Sequence, residues 1–89
     1  MKIRKFLQSH HVLILLFLHS VEEARHRDIA ARMASRGTLT NVLNSLLHEH
    51  LIARKVYVKA KPIRSYYSIT EKGKKVAQNL QELRNIILN

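Results

Sequence analysis

The chain predicts a mainly α fold with a small β-hairpin (α+β): about four helices and one two-stranded hairpin. Three observations carry that prediction. Residues Thr38 to Ile52 read TLTNVLNSLLHEHLI, where Leu39, Val42, Leu43, Leu46 and Leu47 recur at helical spacing and leave Asn41, Asn44, Ser45 and His48 on the opposite face. Residues 52–58 and 66–69 mix β-branched and aromatic side chains, and the stretch between them, Lys59 to Ser65, holds the only proline, Pro62. From Val76 the apolar residues Val76, Leu80, Leu83 and Ile87 fall four, three and four apart, the a/d spacing of a helical seam. At 89 residues these elements form a single domain, 1–89.

Charge narrows the partners. Sixteen Lys and Arg against six Asp and Glu give a net charge of +10, which points to a polyanion: nucleic acid first, an anionic membrane surface second. The absence of cysteine removes disulfides, thiolate catalysis and cysteine-ligated zinc. The longest apolar run, Val12 to Leu18, has seven residues, whereas a membrane span needs about 20. His10, His11 and His19 border that run, and no small-residue cleavage site follows it, so it reads as a buried helix of a cytoplasmic, nucleoid-associated protein with no membrane partner.

Taken in order, Met1 to Leu7 carries Lys2, Arg4 and Lys5. It reads either as a basic arm laid on a DNA backbone or as the first turns of a helix, and the spacing of Ile3, Phe6 and Leu7 favours the helix. His10 to Ser20 is apolar on nearly every side and must be covered all round. The rest of the domain covers one face; a second copy is the simplest cover for the other, as the 46% apolar content also hints. Val21 to Arg25 is a polar break. A short helix follows over His26 to Met33, with Asp28 in its first turn, where a carboxylate suits the helix dipole. Ala34 to Gly37 is a turn with Gly37 as its punctuation, and the next helix runs from Thr38 to Glu49 or His50. A strand over Ile52 to Val58, a basic tip over Lys59 to Ser65 and a return strand over Tyr66 to Ile69 make a wing. Thr70 is a good N-cap for the last helix.

Two short helices, a turn and a longer helix form a helix-turn-helix, and the hairpin makes it a winged helix-turn-helix. Two blocks resemble winged-helix regulators, most of all the PadR group. Gly37-Thr38-Leu39 with Leu43, Leu46, Leu51 and Ile52 is similar to that group's recognition-helix block. Pro62, Arg64, Tyr66, Tyr67, Ile69, Thr70, Lys72 and Gly73 resemble its wing and helix-start block; MarR-like, HxlR-like and archaeal viral winged-helix proteins share much of the latter. The resemblance implies a transcriptional regulator, commonly a repressor, acting as a homodimer joined through its terminal helices with two recognition helices in adjacent major grooves. Three departures stand out. Thr40-Asn41 replaces a frequent Tyr-Pro. His50 replaces a Gly, which would strain a left-handed backbone although His is among the types enriched there. No stretch corresponds to an extra effector domain, so the resemblance gives no ground for ligand sensing.

The expected interface follows from the helix and wing. Asn41 and Asn44 are the best base readers, because an amide pairs bidentately with adenine N6 and N7. Thr38, Thr40 and Ser45 suit phosphates or thymine methyls, Thr38 also an anion at the helix N-terminus. His48 reaches a phosphate or merely solvates the face. Arg25, Arg27 and Arg36 read as phosphate clamps. Lys55, Lys59, Lys61 and Arg64 belong to the wing and follow the backbone, one of them entering a narrow minor groove. From Ile52 to Lys75 eight cations face one acid, Glu71, so idleness of the whole set is not expected. Tyr57, Tyr66 and Tyr67 read as packing. The expected dimer interface is Leu13, Leu16 and Phe17 with Val76, Leu80, Leu83 and Ile87.

Double-stranded DNA and a second copy of the chain are thus the expected partners, with no cofactor. Six histidines raise the question of a metal, but neither His10–His11 nor His48–His50 has the i, i+4 spacing that suits zinc on a helix, and no metal is expected. Nor is an enzyme: no nucleophile–base pair, carboxylate pair or phosphate-cradling loop is visible. Two rivals remain, an architectural protein that coats DNA without sequence preference and a winged helix that contacts RNA or protein. The uncharged front of the recognition helix argues against the former.

Overall fold

The computed structural model describes residues 2–33, 35–59 and 61–89. Among these, five helices and three strands follow one another: α1 (Ile3–Leu7), α2 (His10–Val21), β1 (Glu23–Arg25), α3 (His26–Ala30), α4 (Arg36–His48), β2 (Ile52–Tyr57), β3 (Arg64–Ile69) and α5 (Glu71–Leu88). This is the expected winged helix-turn-helix, with one helix and one strand more than the sequence announced.

The extra helix arises at Ser9. Its backbone is extended (φ −68°, ψ 157°) and its Oγ accepts the Val12 N–H at 3.5 Å, so α2 starts afresh there and residues 3–7 form a turn of their own. The extra strand lies in the expected polar break. Glu22 turns the chain at φ 68°, and β1 then pairs antiparallel with β3, Ala24 facing Tyr67 and Arg25 facing Tyr66. The sheet order is β1-β3-β2.

Helix boundaries also move. α3 ends at Ala30 rather than Met33, because the Arg32 and Met33 amides fall back on the carbonyls three residues earlier. α4 begins at Arg36, two residues before the expected Thr38. Ser35 caps it, its Oγ accepting the Thr38 N–H at 3.3 Å. Gly37 therefore lies inside the first turn, with no positive φ, and is not the turn's punctuation; residue 34 of the expected turn lies outside the described residues. β3 starts at Arg64 instead of Tyr66 and β2 stops at Tyr57 instead of Val58, so Arg64 is a strand residue and the tip is 58–63. Residue 60 of that tip and residue 1 of the expected arm lie outside the described residues.

The core is one cluster. Leu15 and Leu18 of α2, Ile29 of α3, and Leu39, Val42, Leu43 and Leu46 of α4 pack with Ile52, Tyr67 and Ile69 of the sheet and Ala77 of α5. The leucine-rich face predicted for α4 is the buried one. The wing's inner side is set by register, since Ile52 opposes Ile69 and Arg54 opposes Tyr67.

The Thr-x-x-Gly of the second block ties α5 to the end of α4. Thr70 caps α5 through the Gly73 N–H (3.0 Å) while its hydroxyl donates to the His50 carbonyl at 2.7 Å. The Thr70 amide donates to the Leu51 carbonyl at 3.1 Å, and Lys72 Nζ donates to the Glu49 carbonyl at 2.9 Å. Gly73 is required because a Cβ there would collide with the Leu51 carbonyl oxygen. His50 adopts φ 59°, the left-handed conformation that would be strained for a residue other than Gly. It ends α4 by letting the Leu51 amide reach back to the Leu46 carbonyl at 3.0 Å.

Candidate nucleic-acid interface

α4 presents two unlike sides. Its apolar side is buried, and Thr40, Asn41, Asn44, Ser45 and His48 are all exposed. On a helical wheel at 100° per residue, Asn41, Asn44 and His48 share the centre of the exposed side. Thr40 stands on one flank and Ser45 on the other. Thr38 is half-buried and turned to the Ser45 flank, where it borders a recess with Lys5 and Gln8. Its amide is already taken by Ser35, which weakens the expected anion site at the start of α4. Arg36 opens α4, but its side chain lies outside the described residues.

The wing is a cationic ribbon. Lys55, Lys59, Lys61 and Arg64 are exposed. Lys55 opposes Tyr66 and Tyr57 opposes Arg64 on the sheet's outer face, where the Tyr57 and Tyr66 rings meet edge to face at 5.2 Å. Tyr67 is buried in the core. All three tyrosines therefore pack, as expected, and the outer pair joins the two strands of the wing next to its tip.

Strand β1 assembles what the sequence left scattered. By pairing Arg25 with Tyr66 it sets Arg25 beside the start of β3. Arg25, His26, Arg27 and Arg64 then line one recess of about 290 Å³ with Ser65 and Ile63. Two expected clamps and one wing cation thus share a single basic pocket, although 36 residues lie between Arg27 and Arg64. None of these cations is in an ion pair: among the described residues the one ion pair is Lys74 with Glu71 at 3.4 Å. Two of the eight cations between Ile52 and Lys75 are engaged locally, Lys74 in that pair and Lys72 on the α4 carboxyl end.

The residues expected to join two copies fall on two faces. Leu13, Leu16 and Phe17 border a groove of about 470 Å³ shared with Gln81 and Arg84 of α5, and Arg32 stacks over Phe17 at 4.0 Å. Val76 and Leu80 lean on the protomer's own core and line a second, fully apolar groove of about 270 Å³ with Phe6 and Leu15. Leu83 and Ile87 are half-buried further along α5, beside an exposed Ile86. Arg84 Nε holds α5 to α1 through the Leu7 carbonyl at 3.2 Å. The seam is thus partly filled within one chain, which sequence spacing alone does not reveal.

A family model of the HxlR-like helix-turn-helix matches residues 8–89. The chain belongs to the HxlR-like helix-turn-helix family. That family is one of the groups named above as sharing the second block, and it takes the place of the PadR group, for which the comparisons give no support. HxlR-like proteins are DNA-binding transcriptional regulators, and so is the class of this chain. Among solved structures, ytfH of Salmonella typhimurium, assigned as a transcriptional regulator, is 27% identical; the match covers 97% of this chain and 78% of that one at a TM-score of 0.76. A MarR-family protein of Porphyromonas gingivalis W83, assigned likewise, is 25% identical over 98% of this chain and 89% of its own, at 0.74. A mutant MarR from E. coli complexed with operator DNA is 15% identical over 83% of this chain and 53% of its own, at 0.70, a likeness of fold alone. No match is found among curated protein sequences. No described helix is long and apolar enough to cross a membrane.

Proposed function

We propose that this HxlR-like chain is a sequence-specific reader of double-stranded DNA that works as a homodimer and represses transcription by occupying its operator. The observation that carries this reading is the exposed side of α4, which is uncharged and rich in amides in a domain that carries its exposed cations elsewhere, on the wing and around the Arg25–Arg27–Arg64 recess. A surface built to coat DNA would place Lys and Arg where Asn41 and Asn44 stand. Cations on the wing and recess with amides on α4 divide the labour between holding phosphates and reading bases.

In this reading α4 lies in the major groove. Asn41 and Asn44, one turn apart, each pair with the N6 and N7 edge of an adenine. Thr40 and Ser45 meet phosphates or thymine methyls at the groove walls, and His48 meets a phosphate near the end of the helix. The Arg25–Arg27–Arg64 recess seats a backbone phosphate, and Lys55, Lys59 and Lys61 carry the wing along the adjacent strand. The grooves lined by Leu13, Leu16 and Phe17, and by Val76 and Leu80, receive the terminal helices of the second copy. The fold shared with a mutant MarR complexed with operator DNA supports duplex binding. The protein acts in the cytoplasm, on the nucleoid.

Selection from random duplex DNA at about 150 mM salt, near physiological ionic strength, tests the reading. A palindrome with half-sites about 10 base pairs apart, centre to centre, is the expected result for a dimer. Retention of duplex without a motif would replace it with architectural binding, and failure to retain duplex would overturn it.

A further inference from the structure

We infer that the DNA-binding surface extends beyond the helix-turn-helix and wing onto the N-terminal helix α1, where Lys5 and Gln8 hold a backbone phosphate beside the Thr38 flank of α4. The inference rests on the duplex-binding reading above and adds to it a contact that neither motif supplies.

The restart of the helix at Ser9 sets α1 against α5 and α2, with Lys5 and Gln8 across a recess from the start of α4. Lys5, Gln8, Ser9 and His11 come together with Thr38 around one recess of about 460 Å³. Lys5, Gln8 and His11 are exposed, and Thr38 is half-buried at the recess wall. Beside the apolar Val42, the recess therefore offers an ammonium, an amide, an imidazole and a hydroxyl, groups that can each donate to a phosphodiester oxygen. The local charge is one-sided, since residues 1–21 contain Lys2, Arg4 and Lys5 and no acid at all. Lys2 stands three residues before Lys5, on the same side of the turn.

Placement argues for DNA specifically. A helix in the major groove has a row of phosphates along each flank, in a groove about 12 Å wide. Thr38 and Ser45 mark one of those flanks of α4, and α1 is the element that stands beside Thr38. Phe6 points elsewhere, into the apolar groove shared with Val76 and Leu80. α1 thus offers one side to the α5 face and another to the reading helix. The two sequence readings of residues 1–7, helix and basic arm, become a single statement: a helix that serves as an arm.

The test needs no motif, because phosphates are common to all sequences. Affinity of the full chain for a mixed-sequence duplex is followed against salt. Lys5→Ala is expected to flatten the plot of log affinity against log salt by about 0.9 per lost phosphate, narrowing the affinity span between about 50 and 200 mM by about threefold. Gln8→Arg, a gain that misfolding cannot imitate, is expected to steepen it by the same amount. Lys74→Ala, whose ammonium already pairs with Glu71, serves as the reference and leaves the slope unchanged. Wild-type slopes in both Lys5→Ala and Gln8→Arg overturn the α1 contact while leaving duplex binding intact. A wild-type chain that binds no duplex overturns the parent reading, and this one with it.

Discussion

The outer side of α4 and the wing are both exposed and both polar, yet they are built on opposite terms. α4 shows short, uncharged side chains on a backbone fixed by a buried apolar side, a Ser35 cap and a threefold tie at its end through the Thr70 hydroxyl, the Thr70 amide and Lys72. The wing shows long cationic side chains on a two-stranded ribbon, whose Tyr57–Tyr66 ring contact lies at the end of the strands next to the tip. Short amides on a rigid helix keep the geometry that hydrogen-bond discrimination requires. Long cations on a ribbon need only reach a charge, which tolerates motion. Selectivity should therefore depend on the helix and salt-sensitive affinity on the wing.

The largest break of this contrast is Gly73→Ala. The new Cβ meets the Leu51 carbonyl, and the splice between α4 and α5 must open. We expect a loss of about 3 kcal/mol or more in urea unfolding, with selectivity falling along with stability. A stability change below about 1 kcal/mol would show the splice to be compliant. Asn44→Ala is expected to leave the fold intact and to cost about 1–3 kcal/mol on the preferred sequence if its contact is bidentate. Competition between the selected duplex and its adenine-substituted variants measures this, and undiminished selectivity would remove Asn44 from the readers.

His50→Gly sharpens the same side. It relieves the left-handed backbone at φ 59°, so thermal unfolding should show a gain of about 1 kcal/mol with DNA preference unaltered. Smallest is Lys61→Ala in the wing. It should weaken all sequences alike and lower the salt slope by about 1. A loss confined to one sequence would move the wing from holding to reading.

The parts of the fold that were legible are those with a pattern of their own. The apolar side of α4 announces itself by spacing, the wing by its β-branched and aromatic runs, and the start of α5 by Thr70. The left-handed backbone at residue 50 was legible from a Gly-to-His departure. β1 was not, because Glu23-Ala24-Arg25 has no strand character and becomes a strand only by pairing with β3. With it the common recess of Arg25, Arg27 and Arg64 stayed hidden, a grouping made by tertiary structure. The break between α1 and α2 had a signal, since Ser9 is a good N-cap residue, but the apolar run behind it dominates the reading. Ser35 announced the start of α4 in the same way, while Gly37 diverted attention to a turn. The a/d seam of α5 was visible, but not that Val76 and Leu80 lean on their own core.

The splice at residues 49–51 and 70–73 also has a mechanical meaning. α5 runs 18 residues from it, about 27 Å at 1.5 Å per residue, and its far end is tied to α1 by Arg84. It is therefore a handle clamped to the base of the reading helix. Under the proposed function, the tilt of that handle would set the angle at which Asn41 and Asn44 meet a groove, and a small rotation at its far end would reach α4 without passing through the wing.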